Sequence, residues 1–301
     1  MAAVSEDTAS TCTELAPAKI NLFLHVVGRR DDGYHLLESL VAFASVGDRV
    51  SIEPLPGTTS SATLSVTGRF ADMIGGDPGD NLAIRATAAL RGMAGTSGDI
   101  LVRLEKNLPV AAGVGGGSAD AAATLIALNR FWNLGLDRDA LAAIGLSLGA
   151  DVPACLHRSA VMMQGIGEEL ATVPMPSGLG VVLVNPLLPL PTPAVFADFR
   201  SFGHFAPVGR FDWQSTRDRQ GWLDQLGRTC NSLEPPARRL LPRISNILDT
   251  LSQTGDCLLA RMSGSGATCF GLFADWQTAA RRADQLSGAH PEWWVAPGRL
   301  L

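Results

Sequence analysis

The order of apolar and polar residues near the start of the chain predicts β-structure. In the segment 13–28, "TELAPAKINLFLHVVG", apolar residues alternate with other residue types, which is the period of an extended strand. An extended chain would carry Ile20, Leu22 and Leu24 on one face and Asn21, Phe23 and His25 on the other. We therefore expect a strand pair or one bent strand here. The Asp-Gly step at 32–33 predicts a turn, and the Val- and Ile-rich segment 38–55 predicts further strands.

Helical patterns follow a short strand predicted near 62–66. Residues 81–95 read as a helix with Asn81 near its start, and the next strand, from 98, should end at Pro109. An alanine-rich helix should stop near Gly135. The segment after it predicts a helix capped by Asp137 and ended by Gly149 and Pro153.

From about residue 159 the pattern changes to alternating strands and helices. The predicted strands lie near 159–173, 178–187, 256–274 (two strands around a glycine loop) and 293–297, and the predicted helices near 217–227, 234–254 and 276–286. A Pro-rich segment from 188 turns helical, and 201–216 reads as a loop. This half suggests a small α+β sandwich. The 301-residue length fits two domains, which we place at 1–158 and 159–301.

Charge and cysteine content exclude several classes of protein. The net charge of −5 gives no basic surface for nucleic acid. The five cysteines are widely spaced, which argues against a disulfide framework or a zinc site and favours a reducing cytoplasmic compartment. The polar, acidic first 15 residues do not read as a signal peptide, and no apolar run is long enough to span a membrane.

Lysine is rare in this chain. Of its 24 basic residues, 22 are arginines and only Lys19 and Lys106 are lysines. Genome composition explains an arginine bias. Lysine is nevertheless a compact point charge that fits where a planar guanidinium does not, and both lysines lie close in sequence to the motifs described next.

The strongest motif is the segment "GVGGGS" at 113–118, between a predicted strand and a predicted helix. Glycine allows close approach of a ligand to the backbone, and the amides at a helix start favour an anion such as phosphate. Ser118 stands where a Walker A loop has lysine after its last glycine and where a dinucleotide loop has glycine, so neither pattern is met. A tightly packed turn is the structural alternative, and phosphate binding is the favoured interpretation.

Three polar residues near this motif are candidates for chemistry. Ser118 could cap the helix or bind Mg²⁺. Asp151, before a Val-Pro step, is either an ordinary turn residue or a carboxylate able to orient or deprotonate a hydroxyl. Lys19 is either a solvated strand residue or a charge that keeps a carboxylate ionised and neutralises phosphate. A second glycine-serine loop, "SGSGAT" at 263–268, could clamp the other side of the ligand.

Four segments together resemble the GHMP kinases: "APAKINLFLHVVGRRDDGYH", "LPVAAGVGGGSADAAATLIALN", "LGADVPACL" and "SGSGATCFGLF". The resemblance spans residues 14 to about 275. It implies an α+β fold of two domains, with a ribosomal protein S5 domain 2-like N-terminal half, a ferredoxin-like C-terminal half and an active site in the cleft between them. The first segment is closest to the member of the non-mevalonate isoprenoid route, which phosphorylates a cytidine diphosphate-linked sugar alcohol.

The resemblance also implies roles for individual residues. Lys19 and Asp151 match catalytic residues, and ATP with Mg²⁺ is the implied phosphate donor. The implied ATP loop comprises Pro109, Val110, Ala111, Ala112, Gly113, Val114, Gly115, Gly116, Gly117 and Ser118, and the implied substrate residues are Asn21, Tyr34, His35 and Phe196. Tyr34 is the single tyrosine of the chain, and in the family the Tyr-His pair lines the cytidine pocket.

Several points stay open at this stage. Thr192 and Pro193 would share a loop with Phe196, and Lys106 and Asn107 are candidates for adenine contacts. Family members often read Asn-Asp-Leu-Glu where this chain has "NSLE" at 231–234, so Ser232 removes a carboxylate. The rivals are a sister GHMP kinase of the homoserine or mevalonate type, a decarboxylase on the same fold, and a non-catalytic ATP-binding sensor. We expect small-molecule partners, no nucleic acid or membrane, and a monomer or weak homodimer.

Overall fold

The computed structural model describes residues 11–207, 211–216 and 218–301. These residues cluster into two compact units. The first contains residues 11–16, 48–107 and 117–156, and the second contains residues 17–47, 108–116 and 157–301. Two early segments, 17–47 and 108–116, therefore pack with the C-terminal half of the chain. The domain boundary at residue 158 remains a prediction.

Ten strands and nine α-helices are found in the part of the chain that the structure describes. The strands are β1 (Cys12–Arg29), β2 (His35–Leu55), β3 (Ala62–Thr67), β4 (Asp99–Glu105), β5 (Val161–Gly165), β6 (Glu169–Thr172), β7 (Gly180–Asn185), β8 (Cys257–Met262), β9 (Cys269–Phe273) and β10 (Trp294–Arg299). The helices are α1 (Leu82–Ala94), α2 (Gly116–Phe131), α3 (Arg138–Leu148), α4 (Val152–His157), α5 (Thr192–Phe202), α6 (Arg219–Gly227), α7 (Glu234–Leu240), α8 (Arg243–Ser252) and α9 (Trp276–Ala289).

The first unit combines strands with helices α1 to α4. The second half of β2 pairs antiparallel with β4, and β4 pairs parallel with β3. Every second residue of β4 is buried, as its apolar alternation requires. Asn81 accepts a hydrogen bond from the amide of Ala83 at 2.9 Å, and Asp137 accepts one from the amide of Ala140 at 2.9 Å. The two predicted N-caps are therefore confirmed.

The second unit contains a four-stranded antiparallel sheet in the order β10-β7-β9-β8. All six residues of β7 are buried. One hydrophobic cluster joins this sheet to α8 and α9 and includes Val182, Phe273, Leu248 and Ala283. In the same unit the first half of β2 pairs with β5, and β5 pairs with β6. The prediction of an α+β fold is confirmed.

Several predicted boundaries are wrong, and local chemistry explains most of them. Of the two alternatives given for the first segment, the single strand is confirmed, since Cys12 to Arg29 form one continuous strand. The single helix predicted over 234–254 is two helices, α7 and α8, because Pro242 cannot supply the amide that a continuous helix needs. Pro153 does not end a helix but lies in the first turn of α4, where a missing amide costs nothing.

Within the residues that the structure describes, no helix is both long and apolar enough to cross a bilayer.

Candidate active site

The glycine segment turns directly into helix α2. The helix begins at Gly116, inside the glycine run. Gly113 and Gly115 adopt φ values of +76° and +64°, in the left-handed region that glycine tolerates best. The alanines at 121–123 are buried, which confirms the tight packing that the sequence indicated. Ser118 lies in the first turn of α2 and not at the residue before it, which argues against the alternative that Ser118 caps the helix.

The second glycine-serine loop packs against the first within the same compact unit. The hydroxyl of Ser263 donates to the carbonyl oxygen of Gly113 at 3.0 Å, and the amide of Thr268 donates to the carbonyl oxygen of Ala112 at 3.1 Å. A Cβ atom at Gly113 would lie 2.6 Å from the carbonyl oxygen of Ser263. The two loops are therefore in backbone contact, and a glycine at 113 is required for that contact.

Lys19 lies on strand β1 next to the glycine segment. Its amide donates to the carbonyl oxygen of Val114 at 2.9 Å, and its side chain runs past Gly115, where an added Cβ would lie 3.1 Å from the Lys19 Cβ. The residue is only 5% exposed. Lys19 is therefore a buried cation beside the loop, and the alternative of a solvated strand residue is excluded.

Asn21 lies two residues after Lys19 on β1, and hydrogen bonds fix both its side chain and its backbone. Its side-chain amide donates to the hydroxyl of Ser39 at 2.8 Å, and its backbone amide donates to the hydroxyl of Ser263 at 3.1 Å. The buried Oδ1 has no hydrogen-bond partner among the described residues. A buried acceptor without a partner is costly, and such an atom is a natural contact for a ligand.

Tyr34 and His35 stand at the beginning of β2. Gly33, with φ of +94°, forms the turn before them, and the amide of Tyr34 donates to Asp32 Oδ1 at 3.2 Å. The Tyr34 ring is 64% exposed, which is unusual for an aromatic side chain. The predicted pattern is therefore present: a turn places the only tyrosine at the surface beside a histidine.

His35 stacks on Phe196 of helix α5. Their ring centroids are 4.9 Å apart with an interplanar angle of 28°, and Phe199 meets His35 edge-on at 5.9 Å. Burial and the nearby charges of Arg200 and Arg29 lower the pKa of His35. A neutral imidazole offers one donor and one acceptor, and Nε2 is buried without a hydrogen-bond partner among the described residues.

Two residues expected to share a loop with Phe196 are helical instead. Thr192 and Pro193 are the first two residues of α5, where proline is favoured. The hydroxyl of Thr192 lies 2.7 Å from that of Ser265, so α5 begins against the second glycine-serine loop.

Asp151 belongs to the first compact unit and immediately precedes helix α4. Its carbonyl oxygen accepts from the amide of Cys155 at 3.2 Å, and its side chain is half-buried. Asp151 lies in the short stretch 149–151 between α3 and α4. The two helices restrict the position of its carboxylate, as the sequence indicated.

Lys106, a candidate for adenine contacts, is the centre of a buried charge cluster. Its ammonium lies between the carboxylates of Asp48 and Asp120, 2.7 Å from the Oδ2 of Asp120, and the amide of Asn107 donates to Asp48 at 2.6 Å. All three charged side chains are at most 5% exposed. The cluster ties the strand pair β2–β4 to helix α2.

The charges in this cluster do not balance, since two carboxylates face one ammonium. Burial raises the pKa of Asp120 to about 7, although the nearby Lys106 acts in the opposite direction. Burial acts to lower the pKa of Lys106, but the two aspartates outweigh it and raise that pKa. Lys106 therefore stays charged, and Asp120 is the member that takes up a proton near neutral pH.

Sequence reasoning missed the polar residues that brace the loops. Asn231 donates from its side chain to the carbonyl oxygens of Met262 and Gly264, both at 2.8 Å. Ser232, where the family often has aspartate, accepts from the amide of Val26 at 3.1 Å. The departure from the "NDLE" pattern was the sequence signal that marked Ser232. Its hydroxyl accepts a hydrogen bond from strand β1.

Comparison with known proteins agrees with this geometry. Residues 81–159 match the family described as GHMP kinases N terminal domain, and residues 214–292 match GHMP kinases C terminal. A Paramagnetospirillum magneticum protein named 4-diphosphocytidyl-2-C-methyl-D-erythritol kinase is 46% identical over 95% of this chain and 97% of its own length. A Rhizobium etli protein of the same name is 48% identical over 94% of this chain and 92% of its own length.

Solved structures give the same result. A crystal structure of 4-(cytidine 5'-diphospho)-2C-methyl-D-erythritol kinase superimposes with a TM-score of 0.74 at 34% identity, covering 96% of this chain and 98% of that one. A homoserine kinase from Cytophaga hutchinsonii, at 15% identity and a TM-score of 0.71 over 100% of this chain and 97% of its own, shares the fold. The chain belongs to the GHMP kinases and, within them, to the family of 4-diphosphocytidyl-2-C-methyl-D-erythritol kinases.

Proposed function

We propose that this chain transfers the γ-phosphate of ATP to the 2-hydroxyl of 4-diphosphocytidyl-2-C-methyl-D-erythritol, giving the 2-phosphate and ADP in the non-mevalonate route to isoprenoid precursors. The observation that carries the kinase chemistry is the glycine segment opening α2 with the buried Lys19 beside it. Phosphoryl transfer depends mainly on positioning and on neutralising the charge of the phosphates, and this arrangement offers both.

The ATP loop is proposed to run from Pro109 to Ser118. Amides of residues 115–118 at the start of α2 would bind the β- and γ-phosphates, since they carry the positive end of the helix dipole. The hydroxyl of Ser118, half-buried in the first helical turn, is a hard oxygen ligand of the kind that Mg²⁺ prefers. When bound, Mg²⁺ neutralises charge on the phosphates.

Asp151 is proposed to accept or orient the proton of the substrate hydroxyl, and Lys19 to stabilise developing phosphate charge. The two side chains have the chemistry for these roles: a half-buried carboxylate before α4 and a buried ammonium on β1. Replacing Asp151 by Asn should lower kcat by at least ~100-fold if the carboxylate is a true base. A near-normal kcat for D151N would eliminate that role. Lys19→Arg should also fail if a compact point charge is needed there, and full activity of K19R would contradict that argument.

Tyr34, His35 and Phe196 are proposed to hold the cytosine base. An exposed aromatic ring gives a flat base a large contact area, and the neutral imidazole of His35 can hydrogen-bond the base edge through its unpaired Nε2. Phe196 supports the His35 ring by stacking on it. The unpaired Oδ1 of Asn21 is proposed as a contact for a substrate hydroxyl.

The experiment that tests this function is a coupled ADP-release assay with ATP and Mg²⁺. The cytidyl substrate would be offered beside homoserine and mevalonate, to the wild type and to Tyr34→Ala. We expect turnover with the cytidyl substrate alone, and a rise mainly in KM for the variant, because Tyr34 adds binding area away from the reacting hydroxyl. Turnover with homoserine or mevalonate would reassign the substrate within the GHMP kinases. Binding of ATP without ADP release from any substrate would favour the sensor alternative.

A further inference from the structure

The second compact unit contains a cavity of about 550 Å³ that the proposed kinase reaction does not use. Its wall is formed by the end of α5 with the residues after it, by the chain from residue 230 into α7, and by the end of β8. The residues proposed to hold the substrate, Asn21, Tyr34, His35 and Phe196, lie outside this wall. The volume is that of a site for a small organic molecule.

Much of the cavity wall is apolar. Phe199 and Phe202 of α5 and Pro235 and Pro236 of α7 line it. Phe199 is buried and Phe202 is 69% exposed, so the aromatic surface continues from the inside of the cavity to its rim. Aromatic rings and proline rings give a flat apolar ligand a large and rigid contact area.

Arg261 of β8 adds a buried positive charge to the same wall. It is 6% exposed, and its two terminal nitrogens donate to neutral oxygens only: the carbonyl oxygens of Leu22, Leu226 and Thr229 and the hydroxyl of Thr229. Its Nε–H donates to no group among the described residues. Burial lowers the pKa of Arg261 to about 10, which still leaves it charged at neutral pH.

The other guanidinium and carboxylate groups of the wall already have partners. Arg239 is paired with Asp198, and the carboxylate of Glu234 lies 3.5 Å from Arg238. Glu234 also attracts the charge of Arg261 through space, but no ion pair within the described part of the chain includes Arg261. The three guanidinium groups and two carboxylates therefore leave one excess positive charge at the cavity.

Residue 232 accounts for this excess charge. Ser232 lines the cavity at the position where family members often have aspartate. Its hydroxyl accepts from the amide of Val26 at 3.1 Å, and its own proton has no acceptor among the described residues. An aspartate could accept the same bond and would add a carboxylate to the wall. In this chain the wall instead offers two unused donors, the Nε–H of Arg261 and the O–H of Ser232.

We propose that this cavity binds a small organic carboxylate with an apolar body, through Arg261 and Ser232. One excess positive charge matches a single negative charge, and two donors match the two oxygens of a carboxylate. The phenylalanine and proline side chains contact the apolar body. A phosphate monoester carries about two charges and three acceptor oxygens, so part of its charge would stay uncompensated in this wall.

The test uses cinnamate as the probe and cinnamamide, which has nearly the same shape without the charge, as its control. Binding to the whole chain would be measured by ligand-observed NMR for the wild type, Ser232→Asp and Ser232→Asn. The two variants have side chains of equal size that both keep an oxygen for the Val26 amide, and only Ser232→Asp adds a charge. We expect the wild type to bind cinnamate at least ~10-fold more tightly than cinnamamide, and Ser232→Asp to bind cinnamate at least ~10-fold more weakly than Ser232→Asn.

The outcomes separate recognition of charge at this cavity from binding elsewhere. Equal affinities of the two variants for cinnamate would overturn the proposal, because the charge at residue 232 would then have no influence. Cinnamate bound at the proposed phosphate loop would give that same result, since the loop does not contain residue 232. Equal affinities of the wild type for cinnamate and cinnamamide, or no binding of cinnamate, would overturn it as well. None of these readouts depends on kinase activity.

Discussion

The contact between the two glycine loops makes a quantitative prediction for Gly113→Ala. Gly113 has φ of +76°, and an added Cβ would lie 2.6 Å from the carbonyl oxygen of Ser263 and 2.7 Å from that of Gly266. These neighbours are backbone atoms and cannot turn away. An ordinary contact starts at 3.4 Å, so the loops must separate by 3.4 − 2.6 = 0.8 Å.

Such a separation would break the hydrogen bonds between the loops. The bonds to the carbonyl oxygens of Ala112 and Gly113 are 3.1 and 3.0 Å long, and adding 0.8 Å takes both beyond hydrogen-bonding distance. Each lost bond costs about 1–3 kcal/mol when its groups stay buried, and the left-handed conformation costs alanine about 1–2 kcal/mol. We therefore expect Gly113→Ala to lower the free energy of unfolding by about 3–8 kcal/mol.

A matched control is available at Gly178 in the same compact unit. It has φ of +81°, and an added Cβ there would meet only the end of the Arg219 side chain at 3.4 Å. Gly178→Ala should therefore cost only the backbone term, about 1–2 kcal/mol. Both variants would be unfolded in urea with tryptophan fluorescence as the probe. Equal losses of free energy in the two variants would refute the reasoning, because the loop contact would then contribute nothing.

Three further predictions concern the first unit and strand β1. Lys106→Met should lower the free energy of unfolding by about 3–5 kcal/mol in the urea assay, because two buried carboxylates lose their cation. The control is Arg103→Met, which breaks a partly exposed pair with Glu53 and should cost at most about 1 kcal/mol in the same assay. Because the pKa of Asp120 is raised to about 7, the folded state holds a proton that the unfolded state releases near pH 4. The free energy of unfolding of the wild type should then fall as pH rises from 4 to 7. Asp120→Asn lacks this titration and should gain stability relative to the wild type over that interval. A difference in unfolding free energy between the two proteins that does not change with pH would contradict this. Ser232→Ala should cost about 1 kcal/mol, measured by urea unfolding, because the Val26 amide loses its acceptor, and an unchanged midpoint would show that water replaces the hydroxyl.

Local features of the fold could be predicted from the sequence because they depend on neighbouring residues. The caps Asn81 and Asp137 and the glycine-to-helix junction at 116 follow from short-range hydrogen bonds and backbone freedom. The wrong boundaries lie at prolines. Pro153 reads as a helix end and Pro242 lies inside one predicted helix, yet the first lies in the opening turn of a helix and the second separates two. A proline fixes one dihedral angle and removes one amide, and the rest of the chain decides on which side the helix lies.

The long-range polar contacts could not be predicted in the same way. Ser263 and Gly113 are 150 residues apart, and Asn21 and Ser263 are 242 apart, so no periodicity connects them. The resemblance to GHMP kinases brought Lys19, Asn21 and both loops into one hypothesis, but not Asn231 or Ser39, which brace them. These two residues contact backbone or other polar side chains, and their importance is visible only once the chain is folded.

The rarity of lysine has a physical explanation at both positions where it occurs. In a chain with 22 arginines, both lysines are buried, with Lys19 5% and Lys106 3% exposed. Lys19 passes a glycine whose missing side chain makes room for its narrow stem, and Lys106 ends between two carboxylates that one ammonium can bind together. A guanidinium is broader and needs its donors in one plane. The composition of the chain thus marks two buried cations, one beside the glycine segment and one fixing the helix that this segment opens.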